Sequence, residues 1–489
     1  MSRQSRTFPR LARRAGVLAL SWLALSATAC RVPVPAATGA APAPEQFTES
    51  GQVEAPVKWW TAFGDPQLDA LMERALAGNL DLLTAWDRLA QAEAIARQAG
   101  APLEPSLTGE TSAARTRSRS EQLGTASASS IALDLVASYE VDLWGRIRAT
   151  RDAAALAAQA SRQDVDATAL LLTAQVAGTW YALLDQLGQL ELLDEQIRTN
   201  EEFLEVVTFR FGRQQVSAVD VLQQRQLLES TRAEKHRAES ARRVLEHQLA
   251  VLLGYEPTVP LRPGEPALPD LPPLPATGLP ASLLQRRPDV RAARLRLAAG
   301  NHDVAAAVAD RFPRLTLSAR AETSDEQVQD LFDNWLASIA AGLTAPLLDG
   351  DRRVAEVDRT RAAAAERLHA YGRAVLEAVQ EVEDALVEER QQRAFLASTE
   401  RQLELASRAA EETRARYVKG AEDYLRVLDA VQSLQRLQRE RRTAQRRLIE
   451  FRIDLYRALG GGWALSRPPL LGVPAGSTAK PARGGPETQ

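Results

Sequence analysis

The chain carries the same helix punctuation twice, which restricts it to folds assembled from two similar halves. Phe209-Arg210-Phe211 and Val219-Asp220-Val221-Leu222-Gln223 recur as Ala415-Arg416-Tyr417 and Leu425-Arg426-Val427-Leu428-Asp429, an offset of 206 (417 − 211 = 206). Leu89 and Pro105-Ser106-Leu107-Thr108 recur at a nearby offset of 208, as Leu297 and Pro313-Arg314-Leu315-Thr316 (297 − 89 = 208). Each half reads as helix, two strands and a helical hairpin.

The period of the apolar residues switches inside each half. Ile131, Leu133, Leu135, Ala137, Tyr139, Val141 and Leu143 alternate with Asp134, Ser138, Glu140 and Asp142, which predicts a strand with one greasy and one acidic face. The second half repeats this with Leu315, Leu317, Ala319 and Ala321 against Thr316, Ser318, Arg320 and Glu322. Trp335, Ala337, Ile339, Ala341, Leu343 and Leu347 form a further apolar row. Four such strands are too few to close a barrel, whereas three copies supply twelve, an even number suited to outer-membrane barrels.

Between the strand pairs the period is helical. Residues 146–210 hold no proline and as one helix would reach roughly 100 Å. Residues 352–418 match them. Val176, Trp180, Leu183, Leu187, Leu190, Ile197, Leu204 and Phe211 follow heptad spacing, as do Val375, Val379, Val382 and Leu386, so supercoiling against neighbouring helices is expected. Returns near 218–253 and 423–459 complete two antiparallel hairpins. A first helix is expected from Asp65-Pro66 to about residue 99. After residue 29, no segment reads as an apolar transmembrane helix, so a membrane crossing has to use strands.

Composition agrees with helices joined by narrow seams: 25% charged, 5% aromatic, and a net charge of −3 that argues against nucleic acid as a partner. Residues 1–29 read as an export signal, with Arg3, Arg6, Arg10, Arg13 and Arg14 preceding a short apolar core. Cys30, the single cysteine, follows Ala27-Thr28-Ala29. A lipoprotein signal usually has Leu where Ala27 stands, and the same Ala-x-Ala suits ordinary cleavage; lipidation of Cys30 is nevertheless the expectation, because it accounts for a lone thiol at the new terminus. Residues 30–56 read as a Pro/Ala-rich tether, 57–253 as the first repeat, 254–280 as a Pro-rich surface connector, 281–463 as the second repeat and 464–489 as a disordered tail.

Catalytic signals are sparse. His236, His247, His302 and His369 fall on expected helices without metal-ligand spacing, so no metal and no cofactor is expected. Glu381, Glu383, Asp384, Glu388 and Glu389 read as a charged helix face, and Gly460-Gly461-Gly462 as a helix stop.

Several segments together resemble the TolC/OprM-type outer-membrane efflux channels, particularly the NodT-like lipoprotein branch. They are Trp59-Trp60-Thr61-Ala62-Phe63-Gly64-Asp65-Pro66-Gln67-Leu68, Tyr139-Glu140-Val141-Asp142-Leu143-Trp144-Gly145-Arg146-Ile147-Arg148, and Leu279 through Val290 with its Arg286-Arg287-Pro288-Asp289. Glu381 to Leu386 and Ala458 to Trp463 complete the set, and the likeness covers roughly 57–463. It implies an α+β membrane protein: a homotrimer whose long antiparallel helical hairpins form a periplasmic α-barrel, joined to a twelve-stranded outer-membrane β-barrel with four strands per protomer. It also implies outer-membrane lipid around the strands, a periplasmic adaptor (membrane fusion protein) and an inner-membrane pump of the proton-driven RND type.

By the same resemblance, Leu425 and Asp429 match an apolar and an acidic ring at the periplasmic constriction. Related channels have arginine one turn after this aspartate; here Gln432 stands there, and Arg426 lies one turn before it. An Asp220–Arg426 contact is the expected latch. Gln214 aligns with Gly420 where glycine is usual in both repeats. Glu140 and Asp142 are expected to face the lumen and Trp144 the membrane boundary. Arg115, Arg117 and Arg119 share one side of an extended segment, suited to the channel mouth, to lipopolysaccharide or to a plain polar loop. The competing reading is a lipid-anchored periplasmic coiled-coil scaffold without a pore; a periplasmic hydrolase lacks any nucleophile–base motif. Labelling with radioactive palmitate should be lost in Cys30→Ser, and a wild type that takes up no label overturns the lipoprotein expectation.

Overall fold

In the computed structural model, residues 44–468 are described, apart from 122–123, 260–262, 265–266 and 462. The signal segment, Cys30 and the tail beyond 468 lie outside the described residues. Two short helices come first, α1 (Pro66–Gly78) and α2 (Leu80–Gly100), followed by β1 (Ser106–Ser120) and β2 (Gly124–Val141). Then come α3 (Arg146–Gly212) and α4 (Ala218–Leu252). After the connector the order repeats: α5 (Pro280–Arg286), α6 (Pro288–Ala309), β3 (Arg314–Asp325), β4 (Trp335–Thr344), α7 (Arg352–Val418) and α8 (Tyr424–Leu459). The duplication is exact in length at α3 and α7, both 67 residues.

The helix expected over 65–99 is two helices. Asn79 breaks it: its side chain caps α2 through the amide of Leu82 (3.0 Å) and donates to the carbonyl of Leu252 (3.0 Å). Asp65 caps α1 from outside, accepting from the amides of Gln67 and Leu68, with Pro66 in the first turn.

The chain divides into two compact units. One comprises 87–164 and 283–379 and holds the sheet; the other comprises 45–86, 165–282 and 380 onward. The sheet is antiparallel in the order β1-β2-β3-β4. Its register pairs odd positions with odd positions, as in Leu107↔Ala137, Leu135↔Ala321 and Ala321↔Ala337. All the apolar rows therefore fall on one face, and Asp134, Glu140, Arg320 and Glu322 on the other. Arg320 bridges Asp134 and Glu322 there, 2.8 Å from each. The apolar face is bare: Leu107, Trp335, Ile339 and Leu343 are all exposed. β2 ends at Val141, two residues short of the expected strand.

In the second unit the seam between helices is not the expected apolar heptad alone. Leu187, Leu190, Ile197 and Leu204 are only half-buried, while Gln189, Leu193, Gln196, Asn200 and Val207 are buried at spacings of 4, 3, 4 and 7. The buried amides donate across the seam, Gln189 to the Arg439 carbonyl (3.0 Å) and Gln196 to that of Gln435 (3.2 Å). Gly188 leaves room for the Arg442 guanidinium, which donates to the carbonyls of Leu184 and Asp185. α3 does contain one stretch long and apolar enough to cross a membrane, contrary to the reading that none exists, but 61% of that stretch is buried within the chain.

Arg452 of α8 is wholly buried and forms a two-pronged pair with Glu389 of α7, at 2.6 and 2.7 Å. It also donates to the carbonyls of Pro272 and Pro273, so the connector is anchored here. Residues 51–53 of the expected tether run beside the connector, with a Val53↔Pro275 bridge and a Gly51 amide to Pro275 carbonyl bond of 3.0 Å. Glu389→Gln should cost about 3–5 kcal/mol by leaving a buried guanidinium uncompensated, whereas an Arg452→Met/Glu389→Leu double variant should recover most of it. Thermal unfolding of both checks this, and an unaffected single variant overturns it.

Candidate functional site

The tips of the two hairpins carry the expected gate residues. α3 and α7 arrive there and α4 and α8 leave, around a core of Val207, Val221, Leu227, Tyr417, Tyr424, Val427, Leu428 and Val431. Phe203 packs against both tyrosines, stacked on Tyr424 at 6.4 Å. The Arg210 guanidinium lies 4.5 Å from the centre of the Tyr417 ring and donates to the Tyr417 carbonyl. Beneath this sits a buried polar chain: Tyr424 donates to Gln224 (2.8 Å), Gln224 to the Asn200 carbonyl (2.8 Å), and Gln435 to the Asn200 side chain (3.0 Å). Burial pushes the phenols of Tyr417 and Tyr424 up, so both are neutral at physiological pH. Sequence reading missed this network because asparagine and glutamine do not register as seam residues; their place at heptad intervals was the available signal.

Leu425, Arg426 and Asp429 stand on one exposed side of the first turns of α8, opposite the buried Tyr424, Val427, Leu428 and Val431. Leu425 is 56% exposed, high for a large apolar side chain. Arg426 pairs with Glu422 at 3.3 Å, and Glu422 also meets Arg416 at 3.6 Å.

The expected Asp220–Arg426 latch is not formed within the chain. Asp220 instead closes a capping box: its carboxylate accepts from the Ser217 amide (2.9 Å) while the Ser217 hydroxyl accepts from the Asp220 amide (3.3 Å). The 206-residue offset puts Asp423 opposite Ser217, and Asp423 makes no side-chain cap (423 − 217 = 206). The two tips thus share a backbone path but not its chemistry. Gln214 and Gly420 both adopt left-handed backbone, with φ of 59° and 75°. The first turn therefore has the same shape as the second, held by a residue for which it is strained.

In the other unit, Glu140 and Asp142 do not both sit on the polar strand face. Glu140 grips Arg146 with both oxygens at 2.9 Å. Asp142 lies beyond β2 and binds the start of α3, accepting from the amides of Ile147 (3.1 Å) and Arg148 (3.0 Å) and from the Arg148 guanidinium (3.0 Å). Burial pushes its pKa up, but these bonds outweigh it and hold the carboxyl below its ordinary range. Trp144 stacks on Phe312 at 4.8 Å and donates to the Pro313 carbonyl (2.7 Å), tying the two sheet-to-helix junctions together.

The sequence matches the family profile described as Outer membrane efflux protein over residues 71–255 and 279–461. The chain belongs to that family. It is 34% identical over 467 residues to the Pyoverdine export outer membrane protein OpmQ of Pseudomonas putida, covering 92% of this chain and 98% of the relative. Among solved structures, the outer-membrane channel OprN superposes with a TM-score of 0.81 at 27% identity, covering 88% of this chain and 98% of that one. The open state of the Neisseria gonorrhoeae MtrE outer membrane channel gives 0.77 at 28% identity, with 88% and 98% covered.

As an outer membrane efflux protein, the chain has the fold of the trimeric outer-membrane channels, in which three protomers close a β-barrel and an α-barrel. The bare apolar sheet face is the lipid-facing side of that β-barrel. Family members are channels. Asp220→Ala should cost the tip about 1 kcal/mol and Gln214→Gly should return about 1 kcal/mol. Hydrogen exchange of the 217–222 amides reads both, and exchange as slow as wild type in Asp220→Ala shows that the box does not hold the turn.

Proposed function

We propose that this chain is a passive exit duct for small molecules, closed at its periplasmic end by the tip of the second hairpin, and that it has no enzymatic activity. The observation that carries the gate is the exposed face of Leu425, Arg426 and Asp429, set on a rigid buried core at the end of a hairpin. Threefold symmetry brings three Leu425 side chains and three Asp429 carboxylates to one opening, an apolar constriction and an acidic ring that disfavours anions. Arg426 pairs with Glu422, a partner on its own turn that moves with it, so this pair sets the local charge of the tip and does not itself latch it.

The duct has no energy source of its own, so direction and selectivity come from its partners. A periplasmic adaptor docks at the hairpin tips, where Val219 and Leu222 of the first repeat are also exposed, and an inner-membrane pump of the RND type drives transport. OpmQ is named for pyoverdine export, which sets the scale of cargo as a small organic molecule. The described histidines and acidic clusters offer no nucleophile–base pair, and the reading of a pore-free scaffold is disfavoured by the bare apolar sheet face.

Single-channel recording in planar bilayers tests the gate. Arg426→Ala removes a cation beside the proposed Asp429 ring, so the preference for cations should rise. Asp429→Ala should weaken the preference for cations. Unchanged conductance and selectivity in both variants sinks the gate assignment, and detergent-purified wild-type trimer that forms no channels favours the scaffold.

A further inference from the structure

The register that sorts the sheet also places three arginines that the duct does not use. Arg115, Arg117 and Arg119 occupy odd positions of β1, opposite Ser129, Ser127 and Thr125 of β2. Pairing is unbroken from Ser106↔Ser138 to Ser120↔Gly124, so no bulge flips the alternation. The guanidiniums therefore share the face of Leu107, Ile131 and Leu135, which lies against lipid, and not that of Asp134, Glu140 and Arg320.

Their height along the barrel follows from the same pairing. From Val141 to Ile131 the apolar row of β2 runs for about 33 Å of strand, or about 25 Å of height at the usual tilt, which is the thickness of a barrel's lipid-facing band. Ser129, the partner of Arg115, is the next residue on that face. Trp335 marks the same edge: it pairs with Thr323, which pairs with Leu133, and its indole is 75% exposed. The edge lies at the hairpin ends away from α3 and α7, hence on the cell exterior.

The arginines are exposed along β1, and among the described residues no carboxylate pairs with them. Asp325, the one carboxylate at an odd position in the sheet, is taken up by the amides of Glu326 and Gln327. Glu121 in the hairpin turn is one acid against three cations, and the remaining excess, just above an apolar band and beside serine and threonine hydroxyls, suits an anion whose tail is apolar.

We propose that Arg115, Arg117 and Arg119 bind the phosphates of lipopolysaccharide in the outer leaflet. Guanidinium forks match phosphate oxygens in pairs, Ser127 and Ser129 add hydroxyl donors, and the acyl chains lie along Ile131, Leu133 and Leu135. Arg115 and Arg119 stand about 13 Å apart along the strand, room for a headgroup phosphorylated at both ends. The site rests on the outer-membrane placement of the sheet and is independent of gate and cargo.

The test uses the full-length trimer in lipid nanodiscs and bisphosphorylated lipid A as probe, with monophosphorylated lipid A and inorganic phosphate as comparisons. At about 1 kcal/mol per arginine, the Arg115→Gln/Arg117→Gln/Arg119→Gln variant should bind bisphosphorylated lipid A about a hundredfold more weakly, with single-channel conductance unchanged. The wild type should bind the monophosphorylated form less tightly, and inorganic phosphate should not displace lipid A at millimolar concentration. Should the triple variant fail to form trimers, Arg117→Gln alone should lose about fivefold. Equal lipid A binding by wild type and variant overturns the proposal, as does displacement by inorganic phosphate, which would make this a free-phosphate site. A change in ion selectivity without a change in lipid binding places the arginines in the lumen and overturns it too.

Discussion

A guanidinium removed entirely from water has to be neutralised and hydrogen-bonded where it stands, and Arg452 meets both demands by drawing three separate stretches of chain to one point. Glu389 supplies the charge from α7, and the carbonyls of Pro272 and Pro273 supply the remaining acceptors from the connector. The cost of failure is what gives the arrangement its specificity: a shifted helix register would strand the charge in an apolar seam. Proline suits the connector because its carbonyls accept while it offers no amide that would itself need a partner. A segment that looks like a loose join between duplicated halves is thereby fixed, and it in turn holds residues 51–53.

The same logic, a buried polar group that only one alignment can satisfy, runs down the second unit to the tip. Gln189, Gln196, Asn200, Gln224 and Gln435 occupy seam positions where leucine would pack in several registers almost equally well. Each amide has a specific acceptor across the seam, so sliding one helix by a turn breaks several bonds at once. Rigidity delivered this way leaves only the outermost residues free to differ between repeats. There the first half closes a capping box through Ser217 and Asp220, while the second leaves Asp423 uncapped and pairs Arg426 with Glu422. Duplication built two tips of one shape, and charge distinguishes them.

Much of the fold was legible because its determinants are periodic. Alternation located the strands, heptads and the absence of proline located α3 and α7, and the offset of 206 located both turns. What escaped depends on partners distant in sequence or on local competition for amides. Asp142 alternates correctly with the strand, yet the free amides at the start of α3 bind its carboxylate more strongly than the pleat can hold it. Asn79 ends α1 for a similar reason, since its side chain has an amide and a carbonyl to satisfy at once. Within the chain Asp220 does not meet Arg426, to which repeat position matched it, because Ser217 lies three residues away and shares a capping box with it.

Strand parity links these local outcomes to the membrane. A sheet in which every pair joins odd to odd can present only one chemistry per face, so a single residue inserted into β1 or β2 would turn acids toward lipid and, in β1, the arginines away from it. The unbroken pairing over β1 and β2 shows that this has not happened, and it carries the apolar band and the arginines above it on one surface. The polar face has its own constraint: Arg320 stands between Asp134 and Glu322, one cation shared by two acids, so that face keeps a net negative charge near that height. Beyond the band, no carboxylate among the described residues forms an ion pair with Arg115, Arg117 or Arg119, and Glu121 at the hairpin turn is one acid against three cations. An excess of one charge at the water boundary is stable only with a mobile counterion or a fixed one, and a headgroup anchored by its own acyl chains is the fixed one that a membrane supplies.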